Sequence, residues 1–278
     1  LDESMPLRFA RPVLEALYAR YNRREWVHPD PLEFLYRYDD PLDREVVGFV
    51  ASSLAYGRVR QILASVGKVL DRMGPSPRRF LMDHRPAGLR HDYSDFKHRF
   101  TGGEQLAALL TGMRGVLRRY GSLEACFQAG SGRANGGGDG AVLGGLTHLV
   151  ERISTEGGLQ GASMLLPLPA RGSACKRLNL FLRWMVRRDD VDPGGWKAIP
   201  PAALIVPLDT HMHRISLQLG ITNRKQADLR TALEVTARFR SLAPDDPVRY
   251  DFALTRLGIL PKGRLGEFSK KGGNDERL

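Results

Sequence analysis

Apolar side chains recur along this chain mostly at three- and four-residue intervals, the period of an amphipathic helix, and no series of short alternating runs divided by regular turns interrupts them. The pattern predicts an all-α fold. Leu14, Leu17, Tyr18 and Tyr21 form a first stripe and place a helix over 11–23, ended by His28-Pro29-Asp30-Pro31 because proline cannot continue a helix interior. From Asp43 the run Val46, Val47, Phe49, Val50 and Leu54 is apolar nearly all round, the mark of a buried central helix. Ile62, Val66, Val69 and Leu70 belong to another helix, stopped by Gly74-Pro75, and Leu106 to Leu117 supply the next. Gly130 to Gly140, rich in Gly with Ser, Asn and Asp, reads as a mobile loop. Beyond it the pattern predicts a short helix from Leu143 to Ile153, a Pro/Gly turn from Pro167 to Ser173 and a strongly apolar helix over 174–186. A linker containing Asp192-Pro193-Gly194-Gly195 and Pro200-Pro201 leads to a helix over 210–219. Helices over 225–241 and 247–258 then precede a tail, 266–278, expected to be disordered.

With 278 residues, 42% of them apolar, the chain can fill a proper core as one large domain or two modest lobes. Charge changes the picture more: 42 Lys and Arg against 31 Asp and Glu leave a formal charge of +11, which favours a polyanionic partner. A basic protein that is merely kept soluble by its charge fits equally well. Cys126 and Cys175 are too few for a disulfide framework, a four-thiolate zinc site or a four-cysteine iron–sulfur cluster, so no cofactor is expected and a reducing cytoplasm fits. No apolar run approaches the roughly 20 residues of a membrane span, and no membrane partner is expected.

Two helix starts carry the candidate chemistry. In Gly172-Ser173-Ala174-Cys175-Lys176-Arg177 the serine is a natural N-cap, which sets Lys176 in the first turn, where the helix dipole disfavours a cation. That adverse end, on a helix whose inner stripe is Leu178, Phe181, Leu182 and Met185, can free an amine for nucleophilic attack. In Val206-Pro207-Leu208-Asp209-Thr210-His211 the aspartate is placed to cap the helix that follows, which holds its carboxylate rigid and charged. His211 and His213 resemble a metal-binding pair, but residues two apart on a helix point in different directions. Phe96, His98, Arg99 and Phe100 form an aromatic and basic cluster able to stack on a base, or equally a core edge with solvated charges.

The block Leu208 to Leu219 resembles the Asp-Thr-His helix start of the helix-hairpin-helix DNA glycosylase superfamily, which includes endonuclease III and the 8-oxoguanine glycosylases. Leu166 to Asn179, with Pro169, Gly172 and Lys176, is similar to that superfamily's hairpin and catalytic lysine, although Ala170-Arg171-Gly172 supplies one glycine where a Gly-x-Gly turn is usual. The lysine and aspartate lie 33 positions apart, a layout nearer to the archaeal 8-oxoguanine enzymes. Leu54-Ala55-Tyr56-Gly57-Arg58 and Tyr250-Asp251-Phe252-Ala253-Leu254 resemble a bacterial branch of the group.

The resemblance implies two helical lobes, 28–160 and 1–27 plus 161–265, with the active site in the cleft between them. It implies a monomeric cytoplasmic, nucleoid-associated enzyme that excises a damaged base, such as 8-oxoguanine, by a Lys176 Schiff base with Asp209 opposing the sugar cation, and that carries lyase activity as well. Arg171, Gly172, Ser173 and Arg177 are the implied DNA contacts, and Arg58 matches the position that fills the gap left by the flipped nucleotide. A non-catalytic DNA- or RNA-binding protein of the same fold, or a metal hydrolase using His211, His213 and Asp209, are the alternatives.

Overall fold

The computed structural model describes residues 11–132, 138–159 and 165–259. Among these the chain is helical almost throughout: α1 (Arg11–Tyr21), α2 (Pro41–Ser53), α3 (Val59–Met73), α4 (Pro77–Asp83), α5 (Pro86–Asp92), α6 (Gly103–Tyr120), α7 (Leu123–Ser131), α8 (Asp139–Gly157), α9 (Lys176–Val186), α10 (Thr210–Gln218), α11 (Leu229–Leu242) and α12 (Asp251–Ile259). A two-stranded hairpin, β1 (Lys97–His98) and β2 (Thr101–Gly102), pairs antiparallel between α5 and α6. Short polar side chains open many of the helices. Asp40, Ser76, Ser122, Asp209 and Asp228 each accept a backbone N–H of the first turn that has no partner inside the helix.

α2 lies at the centre, as its apolar circumference requires, and packs against α9, where Phe49 meets Phe181 edge to face at 5.1 Å. α6, α7 and α8 pack on one another. α6 and α8 approach so closely at Gly112 that an added Cβ would fall 2.1 Å from the carbonyl oxygen of Ile153, so only glycine permits the contact. On the other side α10 packs on α12, and α12 on α1. The buried apolar residues form one continuous cluster from Leu14 to Leu254. Among the described residues no helix is long and apolar enough to cross a membrane.

The long helices stand close to where the apolar period places them, except that α8, expected as a short helix over 143–153, runs for 19 residues. Three short helices, α4, α5 and α7, and the hairpin at 97–102 escape that period, because seven to nine residues give too few turns for a stripe to declare itself. The glycine-rich stretch is narrower than the composition suggests: α7 runs to Ser131 and α8 starts at Asp139, and residues 133–137 of the expected loop lie outside the described residues, as do 260–278. Residues 158–175 separate α8 from α9. There the chain makes a 3-10 turn, Pro169–Arg171, closed by Gly172 with a left-handed φ of 77°.

A buried carboxylate braces α2 against α7. Glu45 accepts the backbone N–H groups of Leu123 and Glu124 at 2.8 and 3.2 Å and the indole N–H of Trp196 at 3.0 Å, yet burial outweighs these donors and pushes its carboxyl up to about 7. A carboxyl whose folded value lies above its unfolded one of 4.5 contributes stability that is full below that value and is lost as pH rises through about 7. Glu45→Gln, which cannot ionise, should therefore gain about 3 kcal/mol relative to the native chain between about pH 4.5 and pH 8, since each tenfold change in proton affinity is worth about 1.4 kcal/mol. Urea unfolding of both proteins across that range measures it. A stability difference independent of pH would show that Glu45 stays ionised.

Candidate active site

Lys176 and Asp209 come together although 33 positions separate them. Lys176 is the first residue of α9, and Asp209 is the N-cap of α10. The two carboxylate oxygens of Asp209 divide the work: Oδ1 accepts the backbone N–H groups of His211 at 2.9 Å and Met212 at 2.8 Å, and Oδ2 faces the Lys176 Nζ at 3.6 Å. Both side chains are about one-third exposed, at 31% and 27%, so the pair is open to a substrate and still fixed by its helix ends.

The cap of α9 is not Ser173. Cys175 holds that position with a left-handed φ of 46°, and the Ser173 hydroxyl accepts the Cys175 backbone N–H at 3.2 Å instead. The left-handed residue turns the chain abruptly, and the short turn before it delivers Lys176 to the cavity wall. Cys175 itself is buried, which pushes its thiol up to about 11 and leaves it a poor nucleophile.

Lys176, Asp209, Ala55 and Ile62 form a wall shared by two cavities. The larger, about 580 Å³, opens between the Ala55-Tyr56-Gly57 loop and residues 173–177. The smaller, about 220 Å³, has apolar sides at Ile62, Leu180 and Pro207 and a charged end at Asp30, Arg183, Asp251 and Arg256. Arg183 and Arg187 tie that charged end to the linker. Arg183 donates to both oxygens of Asp192 at 3.0–3.2 Å and to Oδ2 of Asp251 at 2.6 Å. Arg187 donates to Asp192, to Asp189 at 2.7 Å and to Asp246 at 2.9 Å.

The expected base-stacking cluster is not part of this wall. His98 is buried, with its ring between the Ser65 hydroxyl at 2.9 Å and the Tyr56 carbonyl at 3.1 Å, and burial lowers its pKa. Phe96 is in the core, Arg99 lies against Gly57, and Phe100 is 70% exposed at the hairpin tip. Together they brace the Tyr56-Gly57 loop: the Tyr56 hydroxyl meets Thr101 Oγ1 at 2.6 Å, and Gly57, at φ 101°, has no room for a Cβ beneath Arg99.

The expected DNA contacts divide as well. Arg58, Arg171, Gly172 and Ser173 are exposed. Arg177 turns inward instead, with its guanidinium donating to the Ser53 carbonyl and lying 5.1 Å from the Tyr56 ring centre, and burial lowers its pKa. Its place is structural, holding α9 to the end of α2. The N–H groups of Arg171 and Gly172 donate to the carbonyls of Leu168 and Pro169, and the Gly172 carbonyl accepts from Leu229, so this turn spends its polar backbone internally. The two histidines part as helix geometry requires: the buried His213 ring meets the Arg224 carbonyl at 2.8 Å, and His211 stands exposed beside Arg214.

Arg183, Asp192, Asp251 and Arg256 escape a reading of the sequence, with one signal available. Arg183 interrupts Phe181-Leu182-Arg183-Trp184 on a helix buried nearly all round, and a buried cation must find an anion.

No curated protein and no solved structure matches the chain. A family model described as "Protein of unknown function (DUF2400)" matches residues 30–260, a span that contains Lys176, Asp209 and every residue of the charged cavity end, and the chain belongs to that family.

Proposed function

We propose that the chain is a DNA glycosylase that releases a damaged base, an oxidised purine such as 8-oxoguanine being the first to try, through a covalent Lys176 intermediate, and that it also carries lyase activity. The observation that carries this reading is the Lys176–Asp209 pair, 3.6 Å apart on the wall of a cavity of about 220 Å³ with apolar sides and a charged end. A base turned out of the stack would fill such a cavity, with its flat faces against Ile62, Leu180 and Pro207 and its polar edge toward Asp251 and Arg256. The sugar would then stand at the mouth, where the amine forms a bond to the anomeric carbon and the Asp209 carboxylate opposes the positive charge developing on the ring. An imine to the sugar follows, from which the 3′ phosphate can be eliminated. In this reading the active site lies in a cleft between two helical lobes.

The test is a panel of duplex oligonucleotides, each holding one lesion, incubated with the protein and scored for cleavage with and without alkali. Cleavage confined to one lesion supports the reading and names the base. Duplex binding with no base released from any lesion overturns it and leaves a non-catalytic binding protein.

With a formal charge of +11, binding should also be electrostatic, since basic groups displace counterions from phosphate. Affinity for duplex DNA should fall at least about tenfold between about 50 and 200 mM salt. Arg171→Ala and Arg58→Ala should weaken binding alike on all sequences, because exposed arginines meet phosphates rather than base edges. Fluorescence anisotropy at the two salt concentrations checks both statements. Equal affinities would remove the DNA assignment.

A further inference from the structure

The ion-pair cluster that runs from the charged end of the smaller cavity into the linker holds more anions than cations. Arg183 and Arg187 face four carboxylates, Asp189, Asp192, Asp246 and Asp251. Asp189 and Asp246 are 16% and 21% exposed, although the Asp246 Oδ1 is buried and without a hydrogen-bond partner. Asp192 is fully buried, but both of its oxygens are met by the two guanidinium groups. Asp251 resembles Asp246 in its bare oxygen but, unlike it, lines the cavity: its side chain is 3% exposed, Oδ2 takes one hydrogen bond from an Arg183 already shared with Asp192, and Oδ1 has no hydrogen-bond partner. The remaining charges around it are committed elsewhere, Lys176 to Asp209, and Arg256 on its own helix to Asp30, while His211 is exposed. A bare, dry carboxylate oxygen is costly when ionised, and a proton on it removes that cost.

We propose that Asp251 carries this proton and delivers it to the departing base in the cavity that Lys176 and Asp209 also line; the proposal rests on the glycosylase reading above. Burial is the main force raising the Asp251 pKa, the Asp209 carboxylate adds to it, and Arg183 and Lys176 oppose it without prevailing. In the step itself Lys176, after its ammonium gives one proton to solvent water, forms a bond from its nitrogen to C1′ as the bond from C1′ to the base nitrogen breaks. The electron pair of the broken bond stays on the base nitrogen, which takes the proton from the Asp251 carboxyl. The carboxylate left behind lies against Arg183, and the extra proton on the new secondary amine passes to Asp209. No other co-reactant is needed.

The experiment compares Asp251→Asn with the native protein on two duplexes, one holding the damaged base and one holding a preformed abasic site, where no base has to leave. Base release should fall roughly 100-fold or more, the scale of a lost general acid, while the borohydride-trapped adduct on the abasic duplex should form at close to the native rate. Native base release should decline as pH rises and removes the proton, and the Asn variant should lack that decline. Equal losses on both duplexes would show that Asp251 only holds α12 to α9, and undiminished base release would show that the proton comes from another group. Either result overturns the proposal. A native protein that forms no adduct on either duplex would overturn the glycosylase reading and this proposal with it.

Discussion

Lys176→Gln should form no borohydride-trapped adduct with lesion-bearing DNA while binding that DNA nearly as well as the native chain. The amide keeps most of the length of the side chain and removes the nucleophile, so the loss should be complete on the scale of the assay. The side chain is about one-third exposed at the first position of α9, where it supports no core packing, and the melting temperature should change little. Among the described residues its ion pair is with Asp209, and a partly exposed ion pair contributes at most about 1 kcal/mol. Denaturing electrophoresis of the trapped complex gives the answer directly. An adduct at the native rate would mean that another amine attacks the sugar, and the assignment of α9 as the nucleophile helix would fall.

Asp209→Asn should lose base release by roughly 100- to 1,000-fold, the scale of removing one group that stabilises charge in the transition state. The geometry makes this substitution unusually clean. Oδ1 does the capping and Oδ2 faces the lysine, so an asparagine can keep its oxygen on the His211 and Met212 N–H groups and turn its amide nitrogen toward Nζ. Asparagine caps a helix about as well as aspartate. Folding and DNA binding should therefore persist while the charge opposing the sugar cation is gone. Single-turnover kinetics on the cleavable lesion, set beside a thermal melt, separates the two effects. A variant that melts much earlier and loses activity in proportion would place Asp209 among the structural caps alone.

Both members of this pair are legible in the sequence because each sits at a helix start, where local chemistry is strong: a short polar cap, a proline just upstream of Asp209 and an apolar stripe just downstream. The cap of α9 is misread for a related reason. Ser173 is the better capping residue by type, but the left-handed backbone of Cys175 depends on how residues 165–175 dock against the start of α11, through the Leu229 N–H and the Ser173 bridge to Asp228. Phe96 to Phe100 mislead in another way. Aromatic and basic residues in one short run look alike whether they face a ligand or hold a loop, and only the partners of His98 on Ser65 and Tyr56 decide it. The charged end of the cavity is illegible because its contacts join Arg183 to residues 9 and 68 positions away, and no local period records such a pairing.

Left to itself, the linker between α9 and α10 would be a poor positioning device. A flexible chain of the 23 residues 187–209 holds its ends roughly 26 Å apart on average, whereas Lys176, at the opposite end of α9 from the linker, and Asp209 stand 3.6 Å apart. Something must remove nearly all of that variance. The clasp of Asp189 and Asp192 by Arg183 and Arg187 does so near the start of the span, and Trp196, hydrogen-bonded to Glu45, fixes it again a few residues later. Each fixed point turns one long fluctuating tether into shorter spans with little slack, so the separation of the amine and the carboxylate is set by buried ion pairs at the far end of α9. Residues outside the pair thereby govern how sharply the distance between Lys176 and Asp209 is distributed.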